Sequence, residues 1–193
     1  MKIEDMKEIP VDSTYEYHGR VVNVRVDHAK TPSGEFVHRE VVEHPGGVCI
    51  ALEDKEGKFF LVSQWRYAQE RVLMEFPAGK LEKGENPKDA ILREVEEETG
   101  YQADGLEEIG EFVPTGAYGQ ETVHLYYAKQ GKYVGQHFDE DENIITTKKT
   151  LEEIIEAIMN GEIIDGKTCV LAFKLKERKE RYAKKEIRTD CSK

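Results

Sequence analysis

The amino-acid sequence predicts an α/β protein, a sandwich with a mixed β-sheet. Two observations carry this prediction: strand-like runs are interleaved with helical patterns along the chain, and the strands predicted between 47 and 66 are rich in apolar residues, as strands buried on both faces are. The length of 193 residues corresponds to one domain with room for a small extra subdomain. We therefore expect one sandwich domain and a smaller N-terminal part.

The sequence of the N-terminal part predicts a β-hairpin with long arms. The segment EYHGRVVNVRVDHAK (16–30) places valines beside polar residues, TPSGE forms a turn, and FVHREVVEH (36–44) resumes the strand pattern. We expect residues 1–45 to form an N-terminal β subdomain or a dimer arm. The main domain would then cover residues 46–193.

The clearest helix of the chain lies between Asn86 and Gly100. Asn86 suits the N-cap, Pro87 the first helical position, and Gly100 the position just past the end. The other predicted elements are a short strand running into a loop over 71–80, strands over 106–113 and 121–128, a helix over 150–163 closed by Gly161, and a last helix starting at 167.

Charge and cysteine content restrict the partners of the protein. The net charge of −11 and the pI near 5.1 indicate a negatively charged surface, which repels nucleic-acid phosphates and acidic lipids. Small anionic substrates can still bind through a divalent cation. The widely spaced Cys49, Cys169 and Cys191 are typical of reduced thiols. The acidic start lacks the pattern of a signal peptide, and no apolar run has transmembrane length. We expect a cytoplasmic protein without nucleic-acid or membrane partners.

The predicted helix carries a cluster of glutamates in its last two turns. Glu94 and Glu98 lie four residues apart on one face, with Glu97 beside them. Like charges at this spacing cost about 0.2–0.5 kcal/mol per pair, and acids at a helix C-terminus oppose the dipole by roughly 0.3–1 kcal/mol each. Arg93 offsets part of this through Glu97. Unfavourable local charge of this kind favours a functional site. Mg²⁺ prefers carboxylate oxygens, so the cluster indicates a metal site. The alternative is a solvated acidic face.

The glutamates belong to a longer pattern that resembles the Nudix box, G-x5-E-x7-R-E-U-x-E-E-x-G-U, where U is aliphatic. All seven fixed positions are present, and the last U position holds Tyr101 instead; the matching residues are Gly79, Glu85, Arg93, Glu94, Glu97, Glu98 and Gly100. The resemblance implies the Nudix α/β/α sandwich with a mixed sheet, here with an N-terminal β-hairpin arm. It also implies a hydrolase of nucleoside diphosphates linked to another group.

The same resemblance implies the roles of the box residues. Glu94 and Glu98 should be the main ligands of Mg²⁺, or of Mn²⁺ in its place, with Glu97 and the backbone carbonyl of Ala78 completing the set. Arg93 should orient the glutamates and, with Glu97, belong to the catalytic residues. A purely structural role for Arg93 is the alternative.

Two further segments resemble the branch of ADP-ribose pyrophosphatases and nucleotide-sugar hydrolases. Gln64–Glu85 contains Q-x-R and E-x-P-A-G, which implies that Arg66 grips the diphosphate and that Glu75 contacts substrate. Their alternatives are an ion-paired arginine and an ordinary strand residue. The segment VHREVVEHPGG is also similar to this branch, which implies a homodimer with exchanged N-terminal strands and Arg39 over the partner's site.

The catalytic base and the substrate depend on the C-terminal third of the chain. The acidic loop HFDEDENI (137–144) supplies Glu140 as the first candidate for the base and Glu142 as the second; a solvated loop is the alternative. Asp165-x-Lys167 resembles GDP-mannose hydrolases, which implies that Lys167 binds substrate unless it is a surface lysine.

The expected reaction is metal-dependent hydrolysis of a nucleoside diphosphate sugar. ADP-ribose would give AMP and ribose 5-phosphate, and GDP-mannose and other nucleotide sugars are further candidates. The alternatives are a dinucleoside polyphosphate or other Nudix pyrophosphohydrolase and, in another class, a non-catalytic nucleotide-sugar sensing domain.

Overall fold

The computed structural model describes residues 2–137 and 143–190, with side chains up to residue 182. Its chain divides into two compact units, one of residues 1–46 and 113–122 and one of residues 47–112 and 123–193. Each unit is described by itself below.

The first unit is built on an antiparallel sheet of three strands in the order β1-β2-β3, which are Ile9–His18, Asn23–Lys30 and Phe36–Glu43. The predicted hairpin is present as β2 and β3, which pair antiparallel across the turn at 31–35, but its first arm is shorter than predicted because the valine-rich segment 16–30 is not one strand. A turn in which the Gly19 N–H donates to the Val22 carbonyl (3.0 Å) divides it between β1 and β2. The loop 113–122 joins this unit through a parallel bridge between Val42 and Gly119.

The second unit contains a mixed sheet of seven strands with helices on both faces. Five strands follow the order β10-β5-β4-β9-β8, while β6 pairs with β5 and β7 with β4; the β4–β9 pair is parallel and the others are antiparallel. The strands are β4 (Gly47–Glu53), β5 (Phe59–Arg66), β6 (Arg71–Glu75), β7 (Ala78–Lys80), β8 (Tyr101–Phe112), β9 (Val123–Tyr133) and β10 (Ile145–Lys149). The helices are α1 (Pro87–Thr99), α2 (Leu151–Met159) and α3 (Gly166–Asp190).

Strand β4 is apolar on both faces, so each face of the sheet has to be covered by helices. Side chains alternate across a strand, and on one face Val48 and Ile50 pack in the cluster that contains Ile91 of α1. On the other face Cys49 and Ala51 pack in the cluster built around α2 and α3. This confirms the predicted α/β sandwich with a mixed sheet.

Helix α1 begins and ends as its sequence predicts. The Asn86 side chain accepts the Lys88 N–H (2.9 Å), Pro87 occupies the first turn, and Gly100 adopts a left-handed φ of 77° while its N–H donates to the Glu96 carbonyl. These caps place the glutamates of the box in the last two turns, against strand β7.

Candidate active site

Arg93 is the centre of the first charged cluster on α1. Its guanidinium donates to Glu94 Oε1 (2.9 Å) and Glu97 Oε2 (3.0 Å), and makes two longer bonds to Glu85 (3.2 and 3.3 Å). Although burial opposes it, these acids hold the pKa of Arg93 above its ordinary value. The expected Arg93–Glu97 pair is therefore present, and the repulsion among the glutamates is offset by one cation.

Glu85 ties the preceding loop to the same arginine. Its Oε2 accepts the Glu82 N–H (2.9 Å), and the hydrogen bond from Arg93 lowers the pKa of its carboxyl group. The loop before α1 and the outer face of the helix are thus joined through the Glu85 carboxylate.

Glu98 lies on the inner side of the helix, with 2% of its surface exposed. Its Oε2 accepts the backbone N–H of Ala78 (2.9 Å), directly after Pro77. A buried carboxylate requires such a donor, because an unpartnered one would lose its hydration without compensation. The structure therefore joins Ala78 to Glu98 through the N–H group of Ala78.

Gly79 is required by a close approach of Glu94. A Cβ atom at this position would lie 1.9 Å from Glu94 Cδ and 2.0 Å from its Oε1. Because Gly79 is not among the glycines with positive φ, the need for glycine is steric and not conformational. The Glu94 carboxylate thus fills the space that a side chain at 79 would take.

A second charged cluster lies around Glu75, at the end of β6. Glu75 is 1% exposed, and its carboxylate receives both Arg66 Nε (2.6 Å) and Arg66 Nη2 (2.7 Å) as well as the Lys167 ammonium. Burial raises the pKa of the carboxyl group, but Arg66 and Lys167 outweigh this and lower it below its ordinary value. The structure thus brings together three of the four predicted substrate-binding residues.

Asp165 and Thr168 complete this cluster from the start of α3. Asp165 Oδ1 accepts a bond from Lys167 (2.9 Å), and its Oδ2 accepts both the N–H (3.0 Å) and the hydroxyl (2.6 Å) of Thr168. The fully buried Thr168 hydroxyl in turn accepts the Phe76 N–H (2.9 Å). Sequence reasoning missed Thr168, although an Asp three residues before a Thr at a helix start is an N-cap signal.

The two clusters lie close enough to interact electrostatically. The hydrogen bonds that Arg66 donates to Glu75 are the main reason why the pKa of Arg66 is raised, and the negative charge of Glu98 raises it further. The thiol of Cys49 is buried beside both clusters, and burial raises its pKa. Glu98 and the cluster around Glu75 therefore lie within electrostatic range of each other, near the ends of β6 and β7.

The donor atoms of the box suit a hard divalent cation in their chemistry. Glu94, Glu97 and Glu98 offer carboxylate oxygens, which Mg²⁺ prefers. Arg93 and the Ala78 N–H hold these oxygens in separate bonds. Among the described residues, no three or more His, Cys, Asp or Glu side chains form a ready metal-binding group.

The remaining predicted site residues are Arg39, Glu140 and Glu142. Arg39 belongs to the first unit, where its guanidinium makes a two-point ion pair with Glu8 (3.0 and 2.6 Å). Glu140 and Glu142 lie outside the described residues.

Comparison with known proteins identifies the family. A profile of the NUDIX domain matches residues 43–162. The chain is 40% identical over 156 residues to the "Methanol dehydrogenase activator" of Bacillus methanolicus, an alignment that covers 80% of this chain and 84% of the relative. It is 36% identical over 169 residues to the "ADP-ribose pyrophosphatase" of Bacillus subtilis (strain 168), covering 86% and 91%.

A solved structure agrees in fold. The crystal structure of an "ADP compounds hydrolase" superposes with a TM-score of 0.79 at 16% identity, covering 91% of this chain and 96% of that one. In the part of the chain that the structure describes, no helix is long and apolar enough to cross a membrane. The Nudix box from Gly79 to Gly100, the domain match over residues 43–162 and these relatives show that the chain belongs to the NUDIX domain family.

Proposed function

We propose that the protein is a Nudix pyrophosphatase that hydrolyses the diphosphate bond of nucleoside diphosphate sugars, with ADP-ribose as the first substrate. The observation that carries this proposal is that Glu98 of the box lies within electrostatic range of the Arg66–Glu75–Lys167 cluster. Carboxylates suited to a metal next to an arginine suited to phosphate are what cleavage of a diphosphate requires. The name of the Bacillus subtilis relative supports the choice of ADP-ribose.

The proposed metal is Mg²⁺, with Mn²⁺ as the alternative. Glu94, Glu97 and Glu98 would hold it together with the carbonyl of Ala78. Bound there, a divalent cation would neutralise diphosphate charge and make an associated water more acidic. Arg93 would hold Glu94 and Glu97 in position, through the bonds described above, and would thereby keep mutual repulsion from moving them apart.

The proposed reaction is attack of water on one phosphorus of the diphosphate. Water transfers a proton to Glu140, with Glu142 as the second candidate, while its oxygen bonds to phosphorus and the bridging oxygen leaves with the other phosphate. Arg66 binds the diphosphate through its planar pair of donors and stabilises the charge that develops on the leaving oxygen. ADP-ribose would give AMP and ribose 5-phosphate.

GDP-mannose is the second candidate substrate. It is favoured by the Asp165-x-Lys167 pattern, whose two side chains are paired in the structure at 2.9 Å beside Glu75. Dinucleoside polyphosphate hydrolysis and non-catalytic sensing remain the competing functions, and the experiment below separates them.

We also propose that the protein is a homodimer with exchanged N-terminal strands, and that residues 1–45 form the exchanged arm while 46–193 form the hydrolase domain. Strand β1 supports this, because all ten of its residues are exposed and Ile9, Val11, Tyr15 and Tyr17 alternate along it. Arg39 of one subunit would then act at the site of the other.

We place the protein in the cytoplasm, since Cys49 and Cys169 are free thiols.

A substrate panel tests the function. Purified protein is incubated with Mg²⁺ and ADP-ribose, GDP-mannose, UDP-glucose, NADH or Ap4A, and the released phosphomonoester is measured after phosphatase treatment. We expect the highest kcat/KM for ADP-ribose, and a kcat about 10²-fold or more below wild type for Glu98→Gln. Preference for Ap4A would overturn the substrate class, and binding without turnover would favour a sensing domain.

A mixing experiment tests the dimer. Arg39→Ala and Glu98→Gln would each be inactive alone, but exchange of subunits between them would restore activity at the site that has an intact Glu98 and receives Arg39 from its partner. A monomer in sedimentation analysis, or no recovery after exchange, would contradict the proposal.

A further inference from the structure

Glu75 is held by two cations that differ in how firmly they are anchored. The Arg66 side chain is 38% exposed and pairs with Glu75 alone among the recorded ion pairs of the described residues, whereas the Lys167 side chain is 15% exposed and pairs with both Glu75 and Asp165. Asp165 is itself held by the N–H and hydroxyl groups of Thr168. The structure therefore combines a more exposed, singly anchored cation with a less exposed, doubly anchored cation.

This difference matters when a diphosphate arrives. Arg66 already uses Nε and Nη2, two neighbouring donors of its planar fork, on Glu75. A two-point bond to phosphate through these same donors requires the guanidinium to leave the carboxylate, whereas a bond through Nη1 and the second Nη2 hydrogen does not. Without a second cation, that movement would leave a buried carboxylate unpaired, which is strongly unfavourable.

We propose that Lys167 is the resident counter-ion of Glu75, which stays on the carboxylate while Arg66 moves from Glu75 to the diphosphate of the substrate. Lys167 is then a positioning residue that makes Arg66 available, and it does not itself contact the substrate. This inference rests on the proposed function, because it takes Arg66 as the diphosphate-binding residue.

The surroundings of Lys167 fit this role. Burial disfavours its charge, but the carboxylates of Asp165 and Glu75 outweigh this effect and raise the pKa of Lys167, so that the ammonium stays protonated. In the described residues, no buried side-chain nitrogen or oxygen lacks a hydrogen-bond partner. The cluster is therefore complete before substrate binds, and Lys167 keeps Glu75 paired after Arg66 has moved.

A double-mutant comparison tests the proposal. Lys167→Met removes the ammonium but keeps the length of the side chain, and it leaves Glu75 paired with Arg66, so the variant is expected to fold. We expect KM for ADP-ribose to rise roughly 10²-fold while kcat changes little, because Arg66 is now the sole partner of a buried charge. Lys176→Met, at an exposed position of the same helix, is the matched control and should behave as wild type.

The deciding step repeats Lys167→Met in a Glu75→Gln background. Because the neutral amide needs no counter-ion, loss of Lys167 should there change KM by less than about threefold. Equal losses in the two backgrounds would overturn the inference and assign Lys167 a direct substrate contact. Calorimetry with a non-hydrolysable, methylene-bridged ADP-ribose analogue provides the same comparison for binding alone, and thermal melting verifies that every variant is folded.

Failure of the inference can be distinguished from failure of the proposed function. If wild-type protein neither hydrolyses ADP-ribose nor binds the analogue, both fall. If wild type is active and Lys167→Met acts independently of Glu75, only the counter-ion role falls.

Discussion

A single methyl group at position 79 tests the arrangement of the box glutamates. Gly79→Ala would place a Cβ atom 1.9 Å from Glu94 Cδ, so the carboxyl group has to retreat by roughly 1.6 Å to reach a normal contact of about 3.5 Å. Displacement of a catalytic group by about 1 Å can cost roughly 10²-fold in rate. We therefore expect kcat for ADP-ribose to fall about 10²-fold or more.

The stability of the same variant should change far less than its activity. The clashing atoms are the end of a flexible side chain, which can move. We expect the free energy of unfolding to fall by about 1–3 kcal/mol, because the hydrogen bond between Arg93 and Glu94 is disturbed and the site is overpacked. For a chain of this length that lowers Tm by roughly 2–4 °C per kcal/mol. Steady-state kinetics at saturating Mg²⁺ and thermal melting measure the two effects.

Gly57→Ala serves as the control for Gly79→Ala. Gly57 has a φ of +79°, and its nearest neighbour to an added Cβ is 3.9 Å away, so alanine there strains a turn without displacing a side chain. It should lower Tm while leaving kcat unchanged. A Gly79→Ala enzyme with a kcat within threefold of wild type would refute the claim that Glu94 has to occupy this space for catalysis.

Three other changes have defined outcomes. Glu98→Gln should fold, because an amide oxygen can still accept the Ala78 N–H, but kcat should fall about 10²-fold or more; unchanged kcat at saturating Mg²⁺ would contradict the metal site. Thr168→Val leaves the Phe76 N–H unpaired and should lower the free energy of unfolding, measured with urea, by roughly 1–3 kcal/mol. Thr168→Ser keeps the hydroxyl and should have the stability of wild type. Equal stabilities of the Val and Ser variants would exclude this bond. Because the folded pKa of Glu75 is lowered, its ion pairs stabilise the protein above the ordinary carboxyl value of 4.5, and this stability is lost as pH falls through the folded pKa. Urea unfolding between pH 7 and 3 should show that loss in wild type and less of it in Glu75→Gln.

The features that sequence predicted well are those set by nearby residues. Helix α1 has Asn86, Pro87 and Gly100 at the positions where caps act, and their effect does not depend on the rest of the fold. The pairing of Arg93 with Glu97 also follows from helical spacing. The mixed sheet could be predicted because β4 is apolar on both faces, which requires a layer on each side.

The features that sequence missed depend on distant partners. Strand β10 (Ile145–Lys149) has the polar composition ITTKK, and it is a strand because it pairs along Phe59–Ser63 of β5. The turn at Gly19 was not predicted, because the strand-like pattern of the surrounding segment 16–30 indicated one continuous strand. Thr168 bonds to Phe76, which is 92 residues away in sequence, and no local pattern reports such a contact.

The short segment from Glu75 to Gly79 explains how these distant contacts serve one site. From α1, Glu98 accepts the Ala78 N–H and Glu94 lies against Gly79. From the start of α3, Lys167 pairs with Glu75 and Thr168 accepts the Phe76 N–H. Two helices on opposite faces of the sheet therefore hold consecutive residues of one strand-to-loop connection. Because the proposed metal ligands Glu94 and Glu98 contact this segment and the proposed diphosphate-binding Arg66 pairs with its Glu75, their relative position is set by five residues of backbone rather than by the packing of whole domains.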